Sequence, residues 1–426
     1  MNTAPKTALL SAALLATLVL PATAHALAEF ARGSLTLTTI GRISYDSNLL
    51  GNSTELDDTI YTLAPTFFYR RAAGLGTIDA SAGVSINRYA DFTDLDNEGY
   101  NASLRVDLPT PEGARQEGVF SANYSDNTEV DETVGARIRA TTWGGRFSGT
   151  YRAGPRVDLR TNLAYTETSR DVFTDRTQWN AGAGFDYNDF LGGFGLGADY
   201  RYTDTVSNSN GAAGSIDQQS HSLSSGLFYK FISGLRASAD VGYRWLKRSE
   251  NETLDRNKDD SSMTFGLRLT GPFLPPSRFP KLESSFSIGY EQGEAVGLND
   301  HGRATLVGSL SLSWHARERT VVSVNASRQQ GLSADNLSTV SSSVRLGVTQ
   351  RIGQRTRASL SLAEEWADFP STNRNDERTR AGLNLSYSIN RTWATGADYT
   401  YTNSRSNNNL LDYERHVIAG FVSCTF

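Results

Sequence analysis

The strongest constraint on the fold is an alternation of apolar and polar residues that recurs about every twenty residues from residue 34 to the end. In one such segment the even positions hold Leu306, Gly308, Leu310, Leu312 and Trp314, and three of the four positions between them hold serine. Successive side chains of a strand point to opposite faces, so each segment has one apolar and one polar face. The pattern predicts an all-β chain without a linker or second domain.

The connections between these segments alternate in length. We predict short turns at Ala72–Gly76, Ala153–Pro155, Ile232–Gly234, His315–Glu318, Ile352–Gln354 and Asn390–Arg391. Longer polar loops are predicted at Ser47–Leu56, Asp126–Gly135, Val206–Ile216, Glu250–Lys258 and Ala367–Asp376. Short periplasmic turns and longer extracellular loops are typical of transmembrane barrels, so we predict a single antiparallel transmembrane β-barrel of about 18–20 strands, with twenty favoured over eighteen.

Aromatic side chains of the apolar phase are predicted to gather at both ends of the strands. Tyr45 and Trp245 lie at loop ends, whereas Tyr151 and Trp314 lie at turn ends. Membrane barrels carry such residues in two belts at the lipid–water interfaces. A soluble β-sandwich would concentrate its large aromatic residues in its core, so this placement favours a membrane barrel.

Both ends of the sequence indicate export to an outer membrane. Residues 1–26 combine Lys6, an apolar stretch, and small residues at Ala24 and Ala26, which predicts a secretory signal peptide cleaved after Ala26. The barrel would then occupy residues 27–426, and its last strand ends on the aromatic Phe426, as bacterial outer-membrane barrels do. We therefore expect a bacterial outer-membrane location, periplasmic mature termini, contact with outer-membrane lipid, and insertion by the barrel-assembly machinery.

The polar phase of the strands supplies the candidate pore lining. Its basic members are Arg105, Arg146, Arg160, Arg201, Arg236, Arg244, Arg268, Arg345 and Arg357, and its acidic members are Asp79, Asp107, Asp158, Asp199, Asp240, Asp398 and Glu365. Acids and arginines often lie two residues apart on one face, as in Asp158/Arg160, Asp199/Arg201 and Arg105/Asp107, so pairing across neighbouring strands could neutralise much of the wall. These charges either brace and hydrate a wide barrel or form a path for a charged substrate. The same phase is poor in aromatic residues, which disfavours a stacked aromatic track for sugar uptake.

The composition argues against several other functions. With 41 Lys and Arg against 46 Asp and Glu, the formal net charge is −5, which excludes a nucleic-acid-binding footprint. The five histidines are widely separated, and none has the spacing of a metal site. Catalytic and cofactor-binding motifs are also missing, so we predict no catalytic residue, no metal, no cofactor and no enzymatic activity.

One short motif supports a family resemblance. The predicted first strand ends with Tyr45-Asp46-Ser47-Asn48-Leu49-Leu50. Together with the signal peptide and the single barrel of about 400 residues, this segment resembles the putative β-barrel porin 2 family. The resemblance implies an outer-membrane channel associated with surface or secreted polysaccharide, and it assigns no catalytic or binding residue.

Three functional hypotheses follow. The preferred one is a passive conduit for exopolysaccharide or surface polysaccharide export, supplied by periplasmic polysaccharide-export proteins. The first alternative is a general diffusion or solute-uptake porin, which an open lumen of mixed charge would suit. The second is a structural or surface-interaction barrel with an occluded lumen.

Overall fold

The protein forms one antiparallel β-sheet in the computed structural model, which describes residues 28–73, 76–108, 115–131, 134–209, 216–248, 260–274, 279, 281–292, 304–333, 338–370 and 372–426. The first half contains Ala28–Phe30 (β1), Gly33–Asp46 (β2), Asp58–Ala73 (β3), Gly76–Tyr89 (β4), Asn97–Leu108 (β5), Gln116–Asp131 (β6), Ala136–Arg152 (β7), Val157–Arg170 (β8), Thr174–Leu191 (β9), Phe194–Ser209 (β10) and Ile216–Lys230 (β11). The second half contains Arg236–Arg248 (β12), Asp260–Thr270 (β13), Leu282–Gln292 (β14), Ala304–Arg317 (β15), Thr320–Leu332 (β16), Ser338–Ile352 (β17), Thr356–Phe369 (β18), Arg374–Ser388 (β19), Trp393–Ser406 (β20) and Tyr413–Thr425 (β21). Two single-turn 3₁₀ helices, Thr93–Leu95 and Asn409–Leu411, lie in the loops before β5 and β21.

The sheet closes on itself. Each strand from β2 to β21 pairs with its sequence neighbours, and β21 pairs with β2 from Thr38↔Thr425 to Asp46↔Val417. The twenty strands β2–β21 therefore form a barrel, and the short β1 folds back on the start of β2. This arrangement confirms the predicted all-β barrel and favours twenty strands over eighteen.

The strands extend further into the loops than the sequence predicted. β6 continues to Asp131, so most of the predicted loop Asp126–Gly135 is strand. β10 likewise runs to Ser209, and only residues 370–373 separate β18 from β19. About 9–11 residues suffice to cross a membrane, so longer strands such as the 18-residue β9 continue their ladder beyond the lipid. Residues 1–26 and the predicted loop Glu250–Lys258 lie outside the described residues.

The apolar phase of the strands forms the outer surface of the barrel. Leu163, Leu267 and Leu383 on three different strands are 51%, 55% and 51% exposed. Soluble monomers rarely expose contiguous apolar patches larger than a few hundred Å², whereas this phase is apolar around the barrel. The outer surface is thus suited to lipid, and the opposite phase faces the lumen.

Pro65 locally interrupts one strand pairing. The β3–β4 ladder passes from Leu63↔Ile86 to Thr66↔Gly83, which leaves a gap without a shift of register. Proline has no N–H to donate, so the ladder loses a bond there. The interruption is a local break at the proline and not a bulge, because the register is the same on both sides of it.

No helix in the described part of the chain is long and apolar enough to cross a membrane.

Candidate functional site

The candidate site is the inner wall of the barrel. Strand register places all sixteen predicted pore-lining residues on the phase opposite the apolar surface. The phase is visible where neighbouring strands pair Asp79 with Arg105 and Asn384 with Asp398. Residues that are directly opposite each other in a ladder share a face, so these charges line the interior. Their role in conduction stays a prediction.

Ion pairs join part of this wall, both within one strand and across strands. Arg105 binds Asp107 on its own strand, with Nε–Oδ2 and Nη2–Oδ1 distances of 2.9 and 2.6 Å. Cross-strand pairing of the predicted kind occurs at Arg160 on β8, whose Nη2 lies 3.0 Å from Oδ2 of Asp199 on β10 and 3.2 Å from Oδ1 of Asp186 on β9.

Gly184 explains why Arg160 reaches beyond its own strand. Arg160 pairs with Gly184 on β9, and Gly184 pairs with Asp199 on β10, so the three residues form one row across three strands. A side chain at Gly184 would collide with Asp199 Oδ1. The glycine leaves the gap through which the arginine and the carboxylate meet. Asp158 accepts a hydrogen bond from Asn188 Nδ2 at 2.8 Å instead.

The other predicted acids also have assigned neighbours. Asp79 lies 3.5 Å from Arg70, Asp398 lies 3.4 Å from Arg42, and Glu365 lies 3.2 Å from Arg380. Arg236 is 3.7 Å from Asp186, and the Asp240 carboxylate lies against the backbone of Gly266. Six predicted arginines have no carboxylate within 4.0 Å among the described residues: Arg146, Arg201, Arg244, Arg268, Arg345 and Arg357.

A group of uncharged residues on β14–β17 lies between these charges. Its rows are Ser285↔Ser311↔Asn325, which continues to Arg345, and Ser287↔Ser309↔Ser327↔Ser343, which lies between Arg268 and Glu365, with Ser313↔Ser323 one row toward the turns. The hydroxyls of Ser287 and Ser309 lie 2.8 Å apart, and those of Ser327 and Ser343 lie 3.0 Å apart. We call these nine uncharged residues the hydroxyl panel. It presents donors and acceptors to the lumen with no charged group among its members.

The loop end of the lumen is more enclosed than the rest. Inward residues near that end are buried, including Ser207, Gln218, Arg378 and Ser404. Arg176 Nη2 on β9 donates to the Ser333 carbonyl after β16 at 3.3 Å, although these strands are seven positions apart around the barrel. This bond crosses part of the mouth, so connections at the loop end reach inward.

The first long loop, residues 47–57, forms the best-defined part of this enclosure. Asn52 Nδ2 donates to the Gly135 carbonyl at 3.0 Å, and the Ser53 N–H donates to the Leu410 carbonyl at 3.3 Å. The loop therefore bridges the β6–β7 and β20–β21 connections.

The motif Tyr45–Leu50 fixes that loop and adds an ion pair across the junction of β2 with β21. Asp46 receives a bidentate pair from Arg415, with Nε–Oδ1 and Nη2–Oδ2 distances of 2.9 and 2.5 Å. Asn48 and Leu49 are fully buried, and Asn48 Nδ2 donates to the Asn52 carbonyl at 2.7 Å. Its Oδ1 accepts from the Gly51 N–H at 2.9 Å. The sequence pointed to this motif only through the family resemblance. Its role in holding the loop was not predicted.

No metal-binding group stands out. Within the described ranges, no set of three or more His, Cys, Asp or Glu side chains could hold a metal ion. His221 and His416 each lie on the outer surface beside tyrosines, with Nδ1 2.8 Å from Tyr200 Oη and 3.0 Å from Tyr399 Oη respectively. His301 lies outside the described residues. The predicted lack of enzymatic activity remains a prediction.

Closed topology, an apolar outer surface and a polar lumen define an outer-membrane β-barrel. Residues 277–425 match the family model described as putative beta-barrel porin 2, which confirms the resemblance over that part of the chain. The match includes Arg415 but not the Tyr45–Leu50 motif to which Arg415 binds.

Solved structures support the fold. The chain is similar to the FrpB iron transporter from Neisseria meningitidis, with 9% identity and a TM-score of 0.54 over 92% of this chain and 81% of that one. The ferric citrate transporter FecA gives 8% identity and a TM-score of 0.53, covering 92% and 78% of the two chains. The ferric-catecholate import receptor Fiu from E. coli K12, in its open form, gives 7% and 0.52, covering 92% and 81%. At these identities the likeness concerns the fold alone. The comparison with curated proteins found no match.

Proposed function

We propose that this barrel is a passive, non-catalytic conduit for the export of exopolysaccharide or surface polysaccharide. The observation that supports the proposal most is the hydroxyl panel on β14–β17, whose members face the lumen at successive positions. Ser309, Ser311 and Asn325 at its centre are exposed. A hydrated polysaccharide can exchange hydrogen bonds with such a surface because hydroxyl groups both donate and accept.

The panel suits movement better than retention. A typical hydrogen bond contributes only about 0.5–1.5 kcal/mol net, because bonds to water are exchanged for bonds to protein. Conduction requires binding that is favourable enough for entry and weak enough for release. Many similar hydroxyls at repeated spacing provide equivalent weak sites, so a polymer would meet no single deep trap along this wall.

The driving force would come from elsewhere. The sequence contains no phosphate-binding motif of the G-x-x-x-x-G-K-[ST] type. We therefore propose that periplasmic polysaccharide-export proteins deliver the polymer to the turn end of the barrel. In this arrangement both mature termini are periplasmic, and the loop 47–57 lies at the extracellular exit.

Gene deletion tests the proposal directly. Deletion should abolish surface or secreted polymer while leaving the uptake of small nutrients and antibiotics nearly unchanged, and a plasmid copy should restore the polymer. The comparison uses cell-associated and released polysaccharide measured in the same cultures. Normal polymer levels in the deletion strain would refute an export role.

Two other candidates each have an observation in their favour. The exposed, mixed-charge interior around Arg105 and Asp199 favours a diffusion or uptake porin. The bridging loop 47–57 favours an occluded surface barrel. Planar-bilayer recordings separate them, because a porin should conduct simple ions freely without selective block by oligosaccharides, and an occluded barrel should conduct negligibly.

A further inference from the structure

The inner wall carries guanidinium groups that no carboxylate neutralises. Arg146, Arg201, Arg268, Arg345 and Arg357 are exposed on the inner phase, and Arg244 is partly exposed. None of the six has a carboxylate oxygen within 4.0 Å in the described part of the chain. Arginine remains protonated at any physiological pH, so these positive charges persist under all working conditions.

Two of the acids that could have neutralised them are already engaged. Asp199 lies two residues from Arg201 on the same face, but Arg160 binds its carboxylate at 3.0 Å. Glu365 lies diagonally across the ladder from Arg345, which pairs with Ala363, but Arg380 binds Glu365 at 3.2 Å. The charged residues are therefore distributed unevenly, with satisfied carboxylates beside unsatisfied cations.

Two of the cations form a defined row. Arg201 pairs with Ser222, and Ser222 pairs with Arg244, so the two arginines flank a serine across β10–β12. The next residues along this row are Gly182 and Ser262, neither of which is acidic. The two backbones are about 10 Å apart, since neighbouring strands are separated by about 4.8 Å. An anionic group can lie between them and receive hydrogen bonds from both guanidinium groups and the hydroxyl.

We propose that the lumen selects anions and that the exported polymer is an acidic polysaccharide, with carboxylate, phosphate or sulfate groups. The acidic polymer as cargo rests on the proposed export function. The anion selectivity depends only on the arginines of the inner wall. Guanidinium groups bind planar or tetrahedral oxyanions through paired charge-assisted hydrogen bonds. A channel lined by uncompensated charge of one sign also raises the local concentration of the opposite ion. The hydroxyl panel would contact the neutral parts of the sugar, and the arginines would contact its acidic groups.

Ion selectivity in planar bilayers provides the first test. In a potassium chloride gradient, the reversal potential of the native barrel should show chloride permeating at least about threefold better than potassium. Arg201→Gln/Arg244→Gln should move this ratio toward unity. The matched control is Arg328→Gln/Arg405→Gln, which removes the same charge from exposed residues on the outer phase and should leave the ratio unchanged. Potassium selectivity, or an equal effect of both double variants, would overturn the proposal.

A binding measurement tests the proposal even if the loop end of the barrel blocks ion conductance. Titration calorimetry of the purified full-length barrel would compare oligogalacturonate, dextran sulfate and neutral maltohexaose. The two acidic probes distinguish carboxylate from sulfate recognition, and either should bind more tightly than the neutral one. Arg201→Gln/Arg244→Gln should weaken acidic binding about tenfold, as expected for the loss of charge-assisted bonds. Equal binding of maltohexaose would overturn the proposal.

The two proposals fail in different ways. Loss of polymer on gene deletion together with a non-selective lumen would retain export and reject the acidic cargo. Normal polymer on deletion together with chloride selectivity would reject export and retain an anion-selective barrel.

Discussion

The seam where β2 meets β21 and the hydroxyl panel on β14–β17 use opposite kinds of polar contact. At the seam, the buried Asp46 carboxylate is held by both nitrogens of one edge of Arg415. On the panel, neutral hydroxyls such as Ser287 and Ser309 touch one another and remain partly accessible. Closing a barrel requires one fixed geometry, whereas passing a polymer requires contacts that exchange. The same fold thus combines a rigid junction with a permissive wall.

The largest expected effect comes from breaking the seam. Arg415→Gln should lower the free energy of unfolding by about 3 kcal/mol, because it leaves the Asp46 carboxylate buried without its cation. The pair is shielded, with side-chain exposures of 4% for Asp46 and 20% for Arg415. Urea unfolding of the barrel in lipid vesicles, followed by tryptophan fluorescence, measures the change.

Arg42→Gln is the matched control for that variant. Arg42 also connects the first barrel strand to the last ones, through a 3.4 Å contact with Asp398, but its side chain is 37% exposed. Exposed pairs contribute about 0–1 kcal/mol, so this variant should cost much less. If Arg415→Gln and Arg42→Gln lower the free energy of unfolding by similar amounts, the buried ion pair at the seam is no more important for stability than the exposed one.

A smaller effect is expected from loosening the loop that the seam supports. Asn48→Ala removes the buried amide that bonds Asn52 and Gly51, which should destabilise the loop by about 2 kcal/mol because backbone groups lose their partners. Protease added to intact cells should then cleave residues 47–57 faster, and single-channel current should rise. Asn407→Ala removes an exposed loop amide that donates to the Asn373 carbonyl and accepts from the Asn375 N–H. Water can replace these exposed bonds, so the variant should leave both unchanged. If the Asn48→Ala variant is cleaved no faster than the native protein, the hydrogen bonds of Asn48 do not keep the loop 47–57 in place.

The smallest expected change in free energy comes from placing charge on the hydroxyl panel, and polymer export should reveal it. Ser309→Asp/Ser311→Asp places two negative charges on the neutral panel, where they would repel an acidic polymer or capture nearby arginines. Polymer export should fall about tenfold, which corresponds to about 1.4 kcal/mol, while the amount of folded barrel in the membrane stays unchanged. Ser309→Thr/Ser311→Thr keeps the hydroxyls and suits a strand, so it should export normally. Equal export by the two double variants would rule out a role for panel chemistry.

The faces of the barrel followed directly from the sequence, but the loop boundaries did not. The alternation around Leu306–Trp314 predicted β15 and its outer and inner sides, which the ladder contains. The polar stretch Asp126–Gly135 was predicted to be a loop because its residues favour water. In the structure Arg139 and Asp126 bind each other across the β6–β7 ladder at 2.8 Å, which extends the hairpin. Polarity alone cannot distinguish a loop from a strand that continues beyond the membrane.

The sequence by itself determined the fold class, a range of about 18–20 strands and the phase of each side chain, because a strand alternates faces every residue and this period is local. Tertiary structure decided which charges meet. Arg160 binds Asp199 through the gap at Gly184, and Asp46 binds Arg415 at the opposite end of the chain. Such contacts depend on the register between strands, which turn lengths and closure of all twenty strands set together. For that reason the sequence predicted the inward arginines, and only the closed barrel distinguished the paired ones from those available to an anion.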